Sequence, residues 1–204
     1  MKKSKIKAVI FDIGGVLELG SGRSEHEYMA KKLGIDINGW FDAIDSVYAE
    51  SIEGKIPEKK VTNTIVKNLE TSVKKFERLI KKAYKRNYKT NNKLYGFAFK
   101  LKKKGYKIAI LSDQWHYSKR ELIKDKYTKK FDAVVVSCDV KLRKPNPKIY
   151  RLVLKKLGLK AKECVFIDNR DWNLKPAKKM GMKTVLFKNN KQTFRDLDRM
   201  GVGL

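Results

Sequence analysis

The sequence predicts an α/β protein with a doubly wound parallel sheet and an inserted helical cap. Five short runs rich in valine and isoleucine have the pattern of strands buried on both faces of a parallel sheet. Helical patterns alternate with four of these runs, whereas a long segment without any such run separates the first from the second. Alternation of this kind places ligands beyond the carboxyl ends of the strands.

The predicted strands and core helices follow from these patterns. The strands are IKAVIF (6–11), YKIAILS (106–112), FDAVVVSC (131–138), CVFID (164–168) and KTVLF (183–187). The helices are LYGFAFKLKKKG (94–105), YSKRELIKDKY (117–127), PNPKIYRLVLKKLG (145–158) and NLKPAKKMG (173–181). Three of the helices end at a glycine, which is typical of a helix C-terminus.

The segment between the first two strands predicts a helical unit of its own. Its helical patterns are SEHEYMAKKLG (24–34), WFDAIDSVYAESIEG (40–54), PEKKVTNTIVKNLE (57–70) and SVKKFERLIKKAYKRNY (72–88). A crossover between parallel strands needs only one helix, so the surplus must form a separate structure. We therefore assign residues 1–17 and 91–204 to an α/β core and residues 18–90 to a helical cap.

The charge of the chain is large and uneven. The formal net charge is +27, yet residues 18–54 contain eight acidic and only three basic side chains. An acidic patch facing a basic body would raise the local concentration of anions such as phosphorylated metabolites or nucleic acid. The simpler interpretation is a set of solvated helix faces, because no nucleic-acid motif accompanies the charge.

Other features indicate a globular cytoplasmic protein. No apolar run approaches the roughly 20 residues of a membrane span, and the start, MKKSKIKAVIF, lacks the apolar core of a signal peptide. Cys138 and Cys164 adjoin apolar stretches, which favours buried reduced thiols over a disulfide or a metal site. His26 and His116 lie in polar contexts, so we expect both at the surface.

Polar side chains stand where the predicted strands end. They are Asp12 after the first strand, Ser112 and Asp113 after the second, Lys144 in the loop after the third, and Asp168 with Asn169 after the fourth. All of them would project into one crevice. Several acids, a hydroxyl and a lysine suggest a divalent cation bridging carboxylates and an anion held by the remaining groups.

These residues belong to four motifs that resemble those of the haloacid dehalogenase-like hydrolases, over essentially the whole chain. The motifs are FDIGGVL, ILS, the lysine of RKPNP, and FIDNRDWNLKPAKKMGM. The inserted cap is similar to the helical cap class of that family. The resemblance implies a Rossmann-like core and a Mg²⁺-dependent phosphatase that hydrolyses a small phosphorylated metabolite through an aspartyl-phosphate intermediate.

The resemblance also implies a role for each motif. Asp12 would be the nucleophile, Ser112 and Lys144 would hold the phosphoryl oxygens, and Mg²⁺ would be bound by Asp12, the Gly14 carbonyl and Asp168. Phosphoryl transfer depends on positioning and on cationic stabilisation of the equatorial oxygens, which a lysine and Mg²⁺ provide. Gly14 and its neighbour would permit backbone geometries and a close ligand approach that a side chain would block.

The chain departs from the usual phosphatase pattern of the family at three positions. Gly14 replaces the aspartate that serves as general acid, a function typically worth about 10² to 10⁴ in rate. A cap residue such as Glu18, a water, or a substrate with a good leaving group, such as an anomeric or acyl phosphate, could compensate. Asp113 replaces a common asparagine, and could be protonated, turned toward the metal or the lysine, or act as the acid and contact the substrate. Asn169 replaces a second aspartate, with Asp171 as a candidate helper.

Two alternative functions remain at this point. Haloacid dehalogenases of the same family also lack the second aspartate and have a tryptophan at the position of Trp172, but they work without metal and have serine at the position of Asp168. The chain could instead be a degenerate hydrolase whose basic surface binds nucleic acid or a protein partner. Specificity would reside in the cap, where Trp40, Phe41 and Tyr48 form its apolar face or line the pocket.

Overall fold

The computed structural model describes residues 6–204, which contain seven strands. In chain order the strands are β1 (Ala8–Phe11), β2 (Glu18–Leu19), β3 (Lys89–Thr90), β4 (Lys107–Ser112), β5 (Ala133–Val136), β6 (Cys164–Asp168) and β7 (Lys183–Leu186). Five of them form a parallel sheet in the order β5-β4-β1-β6-β7, whereas β2 and β3 pair with each other. This topology confirms the predicted doubly wound fold.

Helices occupy most of the remaining chain. They are α1 (Gly22–Leu33), α2 (Ile37–Ile52), α3 (Glu58–Asn68), α4 (Val73–Asn87), α5 (Asn92–Lys103), α6 (His116–Leu122), α7 (Asp125–Thr128), α8 (Ser137–Val140), α9 (Pro147–Leu157), α10 (Asp171–Lys179) and α11 (Asn190–Asp198). Within the described residues, no helix has both the length and the apolar character needed to cross a membrane.

The central strand β1 explains why the sheet is buried on both faces. Ala8 and Ile10 belong to an apolar cluster that includes residues of α9 and α10. Val9 and Phe11 belong to a second cluster that includes residues of α5 and α11. Successive side chains of a strand point to opposite faces, so the continuous apolar run AVIF supplies both clusters.

Several predicted boundaries were wrong for local reasons. The strand predicted over 131–138 is the shorter β5, because Ser137 begins α8. The Ser137 hydroxyl accepts a hydrogen bond from the Gln114 N–H at 2.9 Å. The helix predicted over 117–127 is divided into α6 and α7, since Ile123 and Lys124 leave the helical conformation. The helix α11 and the strands β2 and β3 were not predicted.

The four helices predicted for the inserted segment are present between β2 and β3. These two strands pair antiparallel, with Glu18 opposite Thr90 and Leu19 opposite Lys89. The segment that contains the four helices therefore begins and ends at adjacent positions. Trp40 is fully buried and stacks on Phe76, which connects α2 to α4. The division of the chain into a core and a cap stays a prediction.

Some predictions about surface residues were wrong. His26 is buried, and its Nδ1 accepts a hydrogen bond from the Trp40 Nε1–H at 2.8 Å. His116 is partly buried, with Nε2 located 3.1 Å from the Ile56 carbonyl oxygen. The acidic stretch is not a continuous patch, because Glu18 and Glu25 are buried.

The predicted state of the cysteines agrees in part with the structure. Both thiols are free; Cys164 is buried, whereas Cys138 is only partly buried. Burial raises the pKa of Cys138 to about 11 and that of Cys164 to about 12. Both groups are therefore neutral thiols near pH 7.

The contact between the end of α2 and α8 gives the first testable prediction. A Cβ on Gly54 (φ +62°) would lie 1.9 Å from the Cys138 carbonyl oxygen, whereas a Cβ on Gly34 (φ +76°) would meet nothing within 4 Å. Alanine at either position should lose about 1 kcal/mol of unfolding free energy from the left-handed backbone. Gly54→Ala should lose about 1 to 3 kcal/mol more, because the backbone of α8 must shift. Urea unfolding measures both, and equal losses would contradict the prediction.

Candidate active site

The carboxyl ends of three adjacent strands bring the predicted site residues together. Asp12 follows β1, while Ser112 and Asp168 end the neighbouring strands β4 and β6. The Asp12 N–H extends the sheet by donating to the Ile167 carbonyl at 3.0 Å. The ladder of backbone hydrogen bonds therefore fixes where these side chains start.

Lys144 connects the two carboxylates across this edge. Its Nζ lies 3.1 Å from Asp12 Oδ1 and 2.7 Å from Asp168 Oδ2, and it donates to the Leu111 carbonyl at 3.4 Å. Burial would lower the pKa of this ammonium, but the carboxylates of Asp12, Asp168 and Asp113 outweigh that effect and raise it. Lys144 is thus charged, and its position is set by residues of three strands.

The two carboxylates have different surroundings. Burial raises the pKa of Asp12 above its ordinary value; Lys144 opposes the rise, and the charge of Asp168 adds to it. Asp168 is fully buried and accepts hydrogen bonds from the Arg170 N–H at 2.8 Å and from the Asn173 amide at 3.0 and 3.2 Å. The backbone and a side-chain amide therefore hold Asp168 rigidly, whereas Asp12 faces the cavity.

Ser112 and Asp113 occupy supporting positions. The Ser112 hydroxyl is fully buried, accepts a hydrogen bond from the Gln114 Nε2–H at 2.8 Å, and lowers the pKa of Asp12 by hydrogen bonding to it. Asp113 lines the cavity, and its Oδ1 accepts from the Lys144 backbone N–H at 3.0 Å. The Asp113 carboxylate is thus bound to the backbone of Lys144, and its suggested roles stay predictions.

The paired glycines have different surroundings. A Cβ on Gly15, at φ +80°, would lie 2.3 Å from the Asn169 side-chain nitrogen, so glycine is required for the close approach of the loops after β1 and β6. Gly14 has no positive φ, and a Cβ there would meet nothing within 4 Å. The predicted backbone requirement is therefore wrong for Gly14, which instead lines the cavity with free space beside it.

A cavity of about 980 Å³ opens above this cluster. Its walls include Asp12, Gly14 and Lys144 from the core, and Phe41 and Tyr48 from α2. Trp40 is buried instead, so the aromatic residues predicted together have different roles: Trp40 packs in the helical interior, and the other two line the cavity.

Several polar cavity residues were missed in the sequence. Arg23, Arg143 and Arg170 add positive charge to the lining, and Gln114 joins them. Arg143 and Arg170 directly flank predicted motif residues, which is the signal that could have identified them. Arg23 lies in the inserted segment, where no motif residue adjoins it, so the sequence gives no signal that it lines the cavity.

Three other residues named in the sequence analysis differ in their position. Glu18, suggested as a general acid, is fully buried and pairs with Lys124 at 2.8 Å, outside the cavity lining. Asp171 is exposed, pairs with Lys175 at 3.2 Å and does not line the cavity, so it is not placed as a metal ligand. Trp172 lines the cavity and is largely exposed.

The donor chemistry fits a hard cation. No cluster of three or more histidine, cysteine or acidic side chains suited to a metal occurs among residues 6–204. Mg²⁺ needs fewer protein ligands, since it is usually held by one or two carboxylates together with water and substrate phosphate. Asp12 and Asp168 already share one positive group, the Lys144 ammonium, so the fold favours positive charge at this point.

The comparisons with known proteins agree with this architecture. A profile of the haloacid dehalogenase-like hydrolases matches residues 6–181.

Bifunctional epoxide hydrolase 2 of Rattus norvegicus is 27% identical over 214 residues, covering 96% of this chain and 39% of the rat protein. Glyceraldehyde 3-phosphate phosphatase of Methanocaldococcus jannaschii is 35% identical over 104 residues, 48% of this chain and 43% of that protein. (S)-2-haloacid dehalogenase 4A of Burkholderia cepacia is 37% identical over 90 residues, 42% and 38% of the two chains. The chain spans less than half the length of each of these relatives.

Solved structures share the fold at low identity. A HAD-like family hydrolase of Porphyromonas gingivalis superposes with a TM-score of 0.80 at 20% identity, covering 98% of this chain and 99% of the other. A HAD family enzyme of Bacteroides thetaiotaomicron, in complex with magnesium and inorganic phosphate, gives 0.72 at 23% identity, with 90% and 94% covered. At 20% and 23% identity, these two structures show that this chain shares their fold.

The buried ion pairs of Lys144 give the second prediction. Lys144→Met removes the ammonium that pairs with Asp12 and Asp168. Because it leaves two buried carboxylates without this partner, it should lower the unfolding free energy by about 3 to 5 kcal/mol. The matched control is Lys119→Met, which breaks an exposed pair with Asp139 at 2.6 Å and should cost no more than about 1 kcal/mol. Urea unfolding at pH 7 compares the two. Similar losses in both variants would show that Lys144 does not hold the site together.

Proposed function

Because the chain belongs to the haloacid dehalogenase-like hydrolase family, we propose that it is a Mg²⁺-dependent phosphatase. Its substrate is a small phosphorylated metabolite, which it hydrolyses through an aspartyl-phosphate on Asp12. The observation that carries this proposal is the meeting of Asp12, Lys144 and Asp168 within hydrogen-bonding distance at one edge of the sheet, beside a cavity lined by arginines.

The cavity chemistry supports binding of a phosphoryl group. Lys144 presents a charged donor beside the nucleophile, and Arg143 and Arg170 line the same space. Cationic donors fixed before the reaction stabilise the charge that spreads over the equatorial oxygens of the transferring group. Since Lys144 is held by two carboxylates and a carbonyl, little reorganisation is needed when the phosphate arrives.

The reaction proceeds in two balanced steps. A carboxylate oxygen of Asp12 attacks phosphorus, and the bond between phosphorus and the leaving oxygen breaks while that oxygen takes a proton from water. A second water then attacks the phosphorus of the aspartyl-phosphate, and the bond from phosphorus to the Asp12 oxygen breaks, which releases inorganic phosphate and restores the carboxylate. The proton lost by this water neutralises the hydroxide left by the first step. Lys144 orients Asp12 in both steps through the 3.1 Å contact.

The implied Mg²⁺ would be held by Asp12, the Gly14 carbonyl and Asp168. When bound, the ion supplies positive charge that offsets the repulsion between an anionic nucleophile and an anionic substrate. The proposal is supported by the phosphatase among the relatives and by the fold neighbour whose structure holds magnesium and phosphate.

The dehalogenase alternative receives less support from the site. A dehalogenase is also among the relatives, and Trp172 lines the cavity. However, Asp168 is a carboxylate paired with Lys144 at 2.7 Å, where the dehalogenase pattern has a neutral serine. A second carboxylate favours a metal-assisted reaction on an anion over metal-free displacement of halide.

The nucleophile provides the third prediction. Asp12→Asn should lower kcat for phosphate monoesters by more than about 10³-fold, because an amide oxygen is a poor nucleophile. Asp171→Asn, an exposed change at the start of α10, should leave kcat within about threefold, as expected for a residue outside the site. Phosphate release with and without EDTA checks both; chelation should abolish the wild-type rate and added Mg²⁺ should restore it. Undiminished turnover in Asp12→Asn, or in EDTA, would overturn the proposal.

The free space beside Gly14 gives the fourth prediction. Without a general acid, turnover should fall steeply as the leaving group becomes more basic. Gly14→Asp should raise kcat for an alkyl phosphate by about 10²-fold or more, because a carboxyl group would then be able to protonate the leaving oxygen. The rate with p-nitrophenyl phosphate, whose leaving group needs no proton, serves as the internal control. An equal change for both esters would contradict the assignment.

A further inference from the structure

The cavity collects the exposed aromatic side chains of the protein. Among residues 6–204, only two aromatic side chains are exposed, Phe41 with 42% and Trp172 with 58% of its surface. Both line the same cavity, although one lies on α2 and the other on α10. A single exposed apolar side chain needs no explanation, but aromatic rings gathered at one concave site are typical of a surface that a ligand covers.

The size of the cavity leaves room for a ring. Its volume of about 980 Å³ lies near the upper end of the roughly 300 to 1,000 Å³ of ligand pockets. A phosphoryl group beside Lys144 would fill only a small part of this space. The wall continues with His26, whose ring centre lies 5.1 Å from that of Phe41 and 5.9 Å from that of Tyr48. The leaving group of a substrate therefore meets aromatic side chains.

Trp172 stands close to the reacting edge of the sheet. It lies between Arg170 and Asn173 at the start of α10. The Arg170 backbone N–H and the Asn173 amide both donate hydrogen bonds to Asp168, at 2.8 Å and 3.0 Å. The Arg170 guanidinium also lies 5.7 Å from the centre of the indole ring. These contacts anchor the backbone on both sides of Trp172 to the site, while the indole itself stays largely exposed.

We propose that Trp172 is a specificity-determining residue that stacks on an aromatic ring of the leaving group. This inference rests on the proposed phosphatase function and names the substrate class as phosphate monoesters of phenols. The phosphoryl group lies beside Asp12 and Lys144, and the ring bonded to its leaving oxygen lies against the exposed indole.

The chemistry at Gly14 favours the same substrate class. Gly14 stands where the usual phosphatases of the family have a general acid, and a Cβ there would meet nothing within 4 Å. When Asp12 attacks phosphorus, the bond from phosphorus to the aryl oxygen breaks, and its electron pair leaves on a phenolate that then takes a proton from water. Phenols have a pKa of about 10, so a phenolate departs without a general acid far more readily than the more basic alkoxide of an alkyl ester.

The test compares two ligands of similar size that differ in aromaticity. Phenyl phosphate and cyclohexyl phosphate are both dianions at pH 8. Their dissociation constants are measured by calorimetry with Mg²⁺ at pH 8 in the Asp12→Asn background, which prevents turnover. The Asp12→Asn protein should bind phenyl phosphate about 3- to 10-fold more tightly, since aromatic stacking adds to the burial of the ring.

Matched variants assign this preference to Trp172. Trp172→Leu should weaken binding of phenyl phosphate until it equals that of cyclohexyl phosphate, whereas Trp172→Phe, which keeps a ring, should retain the preference. The control is Val73→Ala, a change at an exposed apolar residue of α4 that does not line the cavity. Val73→Ala should bind both esters as the Asp12→Asn protein does.

Tryptophan fluorescence gives a direct readout of the contact. Trp40 and Trp115 are buried, so acrylamide should quench the emission of Trp172 and not that of the other two. Saturating phenyl phosphate should protect Trp172 from acrylamide, whereas saturating inorganic phosphate, which has no ring, should not. Protection without ligand that increases with protein concentration would show that a second copy of the chain covers the indole, and would overturn the inference.

The remaining outcomes separate the two proposals. Equal affinity for the two esters, a preference that Trp172→Leu retains, or a preference that Trp172→Phe loses overturns the role of Trp172. Hydrolysis of a monoester by the enzyme with Asp12 would still support a phosphatase in those cases. A preference that depends on Trp172, in a protein that hydrolyses no monoester, overturns the phosphatase but supports the binding role. Binding of neither ester overturns the inference.

Discussion

The Lys144 ammonium is the group on which the rest of the site depends. It contacts Asp12 after β1, Asp168 at the end of β6 and the Leu111 carbonyl on β4, which are three adjacent strands of the sheet. Two buried carboxylates so close together would repel each other, and burial alone disfavours their charged forms. The lysine makes the arrangement stable, and it also leaves one carboxylate facing the cavity beside a fixed positive charge.

The cavity changes character along its length. At the sheet, Lys144 is charged, and Arg143 and Arg170 line the same space. Toward α1 and α4, the lining includes Glu25 and Tyr84, which are neutral at pH 7, together with the charged Arg23. The positive charge at the sheet would attract an anion to that end of the cavity.

The sequence predicted the sheet and its edge residues well because both depend on short-range patterns. Apolar runs such as AVIF and CVFID identify strands buried on both faces, and Asp12, Ser112 and Asp168 follow from where those runs end. Apart from Phe41 and Tyr48, the cavity lining from the inserted helices could not be predicted in this way. Glu25 and His26 have polar neighbours in the sequence, and their burial arises from packing against α2 and α4, which only the folded chain brings near.

The short ribbon of β2 and β3 has a consequence for how this protein can vary. Glu18 and Thr90 are direct partners, and Lys124 contacts both, so the entry and exit of the helical segment are pinned to the sheet. The helices between them also pack against α6 and α8, so a change in these helices reaches the core through those contacts and not through the ends of the segment. The ribbon can therefore keep the ends of this segment in place while the residues of α1 and α2 that line the cavity vary.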